Sequence, residues 1–78
     1  MRRVFIQHPQ TRMFLRDAQH WTPDADDARD FTTSLNALAF CLQKQMADAQ
    51  IILRFDQPGM EDVVVPVQIS HPAEVVAQ

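Results

Sequence analysis

Residues 20–31, HWTPDADDARDF, set Asp24, Asp26, Asp27 and Asp30 behind a His-Trp pair, the densest group of potential ligands in the chain. Carboxylates this close together could hold a hard cation. On a helix, Asp26 and Asp30 would stand one turn apart with Asp27 beside them, and His20 would lie a similar step from Asp24. A calcium loop, however, needs the pattern D-x-[DN]-x-[DN]-G and a distal glutamate. Here alanines separate the acids and no glycine interrupts them. The same acids are what the positive end of a helix favours, at about 0.3–1 kcal/mol each when exposed. Thr22, Pro23 and the aspartates therefore read as the cap, first-position proline and first-turn acids of a short helix, not as a metal site.

The remaining reactive side chains form no constellation. Cys41 falls in the middle of a helical segment between Phe40 and Leu42, without the cation or helix N-terminus that would activate a thiol, so it reads as packing. His8, His20 and His71 show neither C-x-x-C nor H-x₃₋₅-H spacing with it. His8 and His71 each precede a proline and are expected in turns. A single glycine, Gly59, rules out a glycine-rich phosphate or oxyanion loop. No catalytic, cofactor-binding or metal-ligating residue is assigned, and the expectation is a non-enzyme that carries no cofactor.

Two surfaces have more to offer. If residues 3–7 and 12–17 form a hairpin, alternation sends Val4, Ile6, Met13 and Leu15 to one face and Arg3, Phe5, Arg12, Phe14 and Arg16 to the other. Arginines interleaved with phenylalanines on an open sheet suit phosphate contact and base stacking on a single-stranded nucleic acid. They suit a cover supplied by another subunit equally well. The second surface is helical. With Leu35 at zero, Leu38, Ala39, Leu42 and Met46 fall within about 60° of it and should face the sheet. Phe40 then falls about 140° away, beside Ala37 and Lys44, as an outward contact surface.

The elements that must position these residues follow from local pattern. RRVFIQ and RMFLRD are β-rich runs separated by HPQT, a hairpin turn. A short helix at about 23–30 follows, then the main helix at about 33–48, capped within Thr32-Thr33-Ser34. QIILRF is the third strand, DQPGM a turn, and DVVVPVQI the fourth, with Pro66 at an edge, a bulge or the strand's end. The order β-β-α-β-β predicts an α+β two-layer sandwich, both helices on one face of a mostly antiparallel four-stranded sheet ordered 2-1-3-4. Trp21 is expected to anchor the core. Residues 1–69 form one domain and 70–78 a loosely held tail.

Seventy-eight residues with 46% apolar content support one modest core. The net charge of -3 divides unevenly: residues 1–16 hold four arginines and no acid (+4), and residues 17–78 hold ten acids against three bases (-7). An acidic whole disfavours non-specific nucleic-acid binding, and the basic end leaves only a local footprint. The apolar stretch after Arg2-Arg3 is only Val4-Phe5-Ile6, against roughly 7–15 residues in a secretory segment. No run reaches the ~20 apolar residues of a membrane span. With one unpaired cysteine, the chain reads as cytoplasmic and away from membranes.

Trp21-Thr22 followed by Ala28, Phe31, Ser34, Ala37-Leu38 and Phe40-Cys41 resembles a pattern in small bacterial proteins of unknown function: a hairpin, W-T, A-x-x-F, a helix beginning near a serine, then a strand. The resemblance spans roughly residues 3–56. It implies that Trp21 and Phe31 close the short helix onto the sheet, and it brings no activity, ligand or catalytic residue. Taken together, these features predict a non-catalytic module that binds another protein or its own copy, with single-stranded nucleic-acid binding through the Arg/Phe face as the alternative.

Overall fold

Arg2–Gln7 (β1) and Gln50–Phe55 (β4), each with a continuous apolar run at its centre, are the two longest strands, and they pair antiparallel along their whole length, from Arg2 opposite Phe55 to Gln7 opposite Gln50. The computed structural model describes residues 2–46 and 48–67. Phe14–Asp17 (β2) and His20–Thr22 (β3) extend the sheet on one side, and Val63–Pro66 (β5) extends it on the other. Among the described residues the result is a five-stranded, wholly antiparallel sheet ordered β3-β2-β1-β4-β5, crossed by one α-helix, Ser34–Gln43 (α1). The fold is α+β as expected, and the four anticipated strands stand in the expected order. The fifth strand was not anticipated: His20-Trp21-Thr22 pairs with β2 instead of leading into a helix. The proposed tail at 70–78, and the last two residues of the expected fourth strand, lie outside the described residues.

The short helix expected at 23–30 is a single 3₁₀ turn, Ala25–Asp27. Its cap is Asp24, whose carboxylate accepts from the Asp26 N–H at 2.9 Å, while Thr22 remains in β3. Beyond the turn, residues 29–31 run extended. Arg29 N–H donates to Leu15 O at 3.0 Å and Phe31 N–H to Val4 O at 2.8 Å. Asp30 accepts the Val4 N–H at 3.0 Å. β1 and β2 pair only at Gln7 and Phe14, so this segment occupies the place where they diverge.

That placement splits the core in two. Ala25 and Ala28 pack on Phe5, Phe14 and Ile52 on one face of the sheet. Three residues further on, Phe31 is buried on the other face with Val4, Ile6, Leu15, Ile51, Ala37 and Cys41. The chain thus passes through the gap between β1 and β2, and the 3₁₀ turn and α1 cover opposite faces rather than the same one. Phe31, with the half-buried Trp21, belongs to the α1 side; the alanines, not these aromatics, close the turn onto the sheet.

α1 begins at Thr33, whose hydroxyl accepts from Asn36 N–H at 3.1 Å. It stops at Gln43, well short of the expected Asp48. Gln45 takes a left-handed φ of 56°, Met46 N–H returns to Cys41 O at 2.8 Å and Gln45 N–H to Leu42 O at 3.3 Å. These two bonds form a Schellman cap, in which Met46 also packs against the core beside Cys41.

The helix is also rotated relative to the expected phase. Ala37 and Cys41 are fully buried, whereas Leu35 is 73%, Leu38 37% and Leu42 52% exposed. The cause is volume. Phe31 enters between helix and sheet from the preceding loop, and with Val4, Ile6, Leu15 and Ile51 it fills the space that inward leucines would need. Only small side chains fit beneath the helix axis, since overpacking a core costs ~1–3 kcal/mol.

Candidate interaction surface

The acidic stretch that opened the sequence disperses its carboxylates. Asp24 caps the 3₁₀ turn; Asp26 lies 3.4 Å from Arg3 and Asp27 3.9 Å from Arg16. Asp30 turns inward to the Val4 and Thr32 N–H groups. His20 points to Asp17 at 2.7 Å instead. A backbone hydrogen bond from Gln19, then the His20 bond, hold the Asp17 carboxyl below its ordinary value. Among the described residues no three His, Cys, Asp or Glu side chains converge where they could hold a metal ion. His8 organises the hairpin turn, its Nδ1 accepting from Gln10 and Thr11 N–H, and it meets the edge of Trp21 at 5.6 Å. Burial pushes the Cys41 thiol above its usual range, so it stays protonated at neutral pH.

The Arg/Phe face has the predicted alternation but not the expected exposure. Phe5 is 1% and Phe14 8% exposed. The rings meet in a T-shape at 5.5 Å, beneath Ala25 and Ala28. Arg3 lies over Phe5 at 5.6 Å, and Arg54 spans both rings at 5.5 and 5.7 Å. The guanidiniums are in turn answered by the chain's own acids: Arg3 by Asp26 and Asp56, Arg16 by Asp27, Arg54 by Asp62. Arg54 donates to the Asp62 carboxylate, at 2.9 Å for the shortest bond, and this raises the Arg54 pKa. Arg12 is exposed in the turn at φ 65°, apart from the others. No stacking platform is therefore open at Phe5 and Phe14. The opposed charges of the two chain regions meet within the molecule.

The predicted Phe40 surface is also drawn inward. Ala37 is fully buried, and Phe40 is half-buried with its ring 5.3 Å from Phe31. Arg29 stacks over both rings, at 4.8 and 5.6 Å, and Lys44 Nζ approaches Phe40 at 6.0 Å. An open cleft of about 400 Å³ lies here, between Arg29, Thr32, Asn36 and Gln43. Two of its polar side chains are already engaged, Asn36 Nδ2 donating to Phe31 O at 3.1 Å and Asp30 accepting as above.

What lies exposed instead is the leucine row. Leu35, Leu38 and Leu42 follow 3-then-4 spacing along α1, whose sequence SLNALAFCLQ contains no charged residue. Beside it, α1 leaves β5 bare: Val63 and Val65 are 44% and 41% exposed on the helix side, opposite Leu53 and Ile51. Between helix and strands runs an open groove of about 430 Å³, lined by Leu35, Leu38, Ile51, Leu53, Val65 and Val67 among others, and by no charged side chain among the described residues. The leucines were read as core in the sequence. The sequence holds no signal that turns them outward: a charge-free helix reads as covered on more than one side, since an ordinary solvent face carries Lys or Glu.

No helix among the described residues is long and apolar enough to cross a membrane. Compared with protein-family models, with curated proteins and with solved structures, the chain matches none.

Proposed function

We propose that this chain is a non-catalytic interaction module whose contact surface is the leucine row of α1 together with the neighbouring face of β5. One observation carries the reading. Three leucines at helical spacing stand in solvent on a helix without charge, next to exposed valines. Together they form a contiguous apolar patch, and the largest such patch on a monomer is often functional. Rows spaced 3-then-4 are also what a second helix packs against. The Phe40 and Arg/Phe surfaces contribute less, because their aromatic rings are spent on the protein's own two cores.

Affinity capture from the source cells tests it. Leu35→Glu changes a side chain already in water, so its effect on folding should stay within ~0.5 kcal/mol, checked by circular dichroism. Protein retained by the wild-type chain, untagged copies of the chain included, should fall at least ~10-fold with Leu35→Glu, the size expected when an interface anchor is lost. Arg12→Ala, in the exposed hairpin turn, should retain as much as wild type. Equal retention by Leu35→Glu and wild type contradicts the proposal.

A further inference from the structure

We infer that residues 68–78 turn back over the groove between α1 and β5 and lay Ala73, Val75 and Ala77 along it. These eleven residues, QISHPAEVVAQ, lie outside the described part of the chain. What places them is the residue they follow. Val67 is only 5% exposed, its N–H donates to Ala49 O at 3.0 Å, and it lines the groove itself. The segment therefore starts at the groove, one peptide link (~3.8 Å between Cα atoms) from a residue of its wall.

Its pattern suits that place. Along β5, Val63 stands opposite Leu53 and Val65 opposite Ile51, so the chain reaches Val67 while moving away from Leu53 and must reverse to cover the groove. Gln68–Pro72 supplies five residues for the reversal, and a proline holds itself and the His before it in turn or extended conformations. The next five residues alternate. Extended, AEVVA puts Ala73, Val75 and Ala77 on one side and Glu74 and Val76 on the other. They would span about 17 Å at ~3.3 Å each, against about 15 Å for the ten residues of α1. The small apolar side meets Leu38, Leu53 and Val65, and Glu74, the one Asp, Glu, Lys or Arg in the segment, stays in water.

Covalent attachment favours this occupant over others of similar chemistry. A neutral groove of about 430 Å³ accepts many apolar partners, but a segment tethered by a few residues faces it at an effective concentration of ~mM. Addition as a further strand beside β5 fits less well, because Pro66 has no N–H to donate at that edge. Leu42 lies outside the groove and Leu35, 73% exposed, stands at its rim, so the leucine ridge stays in water with the segment in place. A partner that also takes the β5 face has to displace the segment. That regulation rests on the reading of α1 and β5 as a contact surface; the docking itself does not.

A nitroxide on Ala77→Cys in the full chain tests the inference. Cys41, the single native cysteine, is fully buried, which directs the label to position 77. In a dilute sample the methyl signals of Leu38, Leu53 and Val65 should be lost to broadening, while those of Ala25 and Ala28, on the opposite face of the sheet, persist. Adding Val75→Asp, which sets a charge against the groove, should restore the lost signals. A mixture of spin-labelled chain with isotope-enriched, unlabelled chain should show no broadening. Broadening in that mixture assigns the groove to a second copy and overturns the inference. So does an absence of broadening within the labelled chain, equal loss on both faces, or a loss that Val75→Asp leaves unchanged. Capture that depends on Leu35 without broadening from position 77 removes the segment and keeps the contact surface; broadening with capture indifferent to Leu35→Glu does the reverse.

Discussion

Phe5→Ala should lower the free energy of unfolding by about 3–5 kcal/mol, the usual loss for a fully enclosed phenylalanine. For a chain of 78 residues that is a large share of a total expected at ~4–12 kcal/mol. Phe5 lies on the central strand β1, meets Phe14 edge-on at 5.5 Å, and is roofed by Arg3, Arg54, Ala25 and Ala28. Truncation opens a cavity whose walls cannot collapse, because β1 is fixed by its pairing with β4. It also removes the ring on which two guanidiniums rest. Urea denaturation followed by Trp21 fluorescence measures the loss, and Phe5→Leu should lose distinctly less. A cost below ~1 kcal/mol, the range of surface substitutions, would mean that the ring is not enclosed. The Arg/Phe face would then return as an open aromatic surface.

Asp30→Ala should cost about 2–3 kcal/mol, although Asp30 is itself exposed, because a buried N–H left without its charged acceptor forfeits that much. Val4 is fully buried, and its N–H, turned away from β4, donates to Asp30 Oδ1 at 3.0 Å. The same oxygen takes the Thr32 N–H at 2.9 Å and so holds a threonine at φ 73°, a conformation that β-branched residues rarely adopt. Asp30 therefore splints the place where the chain passes between β1 and β2, and it seats Phe31 under α1. Asp30→Asn keeps an acceptor and should recover part of the loss. Amide exchange at Val4 should accelerate in Asp30→Ala and remain slow in a control such as Asp24→Ala. Unchanged stability and unchanged exchange at Val4 would remove the splint from the account.

Much of the architecture was legible because it is written in local alternation. Val4, Ile6 and Leu15 against Phe5 and Phe14, or Ile51 and Leu53 against Ile52 and Arg54, fix the faces of the strands without any knowledge of the partner strand. The rotation of α1 was not legible. Periodicity locates an apolar stripe but not what it meets, and here Phe31 from the preceding loop had already filled the space beneath the helix. The helix end was hidden for a different reason: its left-handed cap falls on Gln45, not on the glycine that usually announces one. Asp30 looked like one more first-turn acid because its decisive bond reaches back 26 residues to Val4. β3 was masked by the proline and aspartates that follow it. One error of helical phase thus exchanged Ala37, which is buried, for the leucines, which are exposed.

That phase is also the claim on which the functional reading stands, and methyl-detected NMR with a soluble paramagnetic agent tests it directly. In a dilute sample, the methyl groups of Leu35 and Leu42 should relax strongly, and those of Val4, Ile6 and Ala37 hardly at all. Shielded leucines and a solvent-exposed Ala37 in the dilute sample would contradict the account, since the helix would then present a different face to any partner.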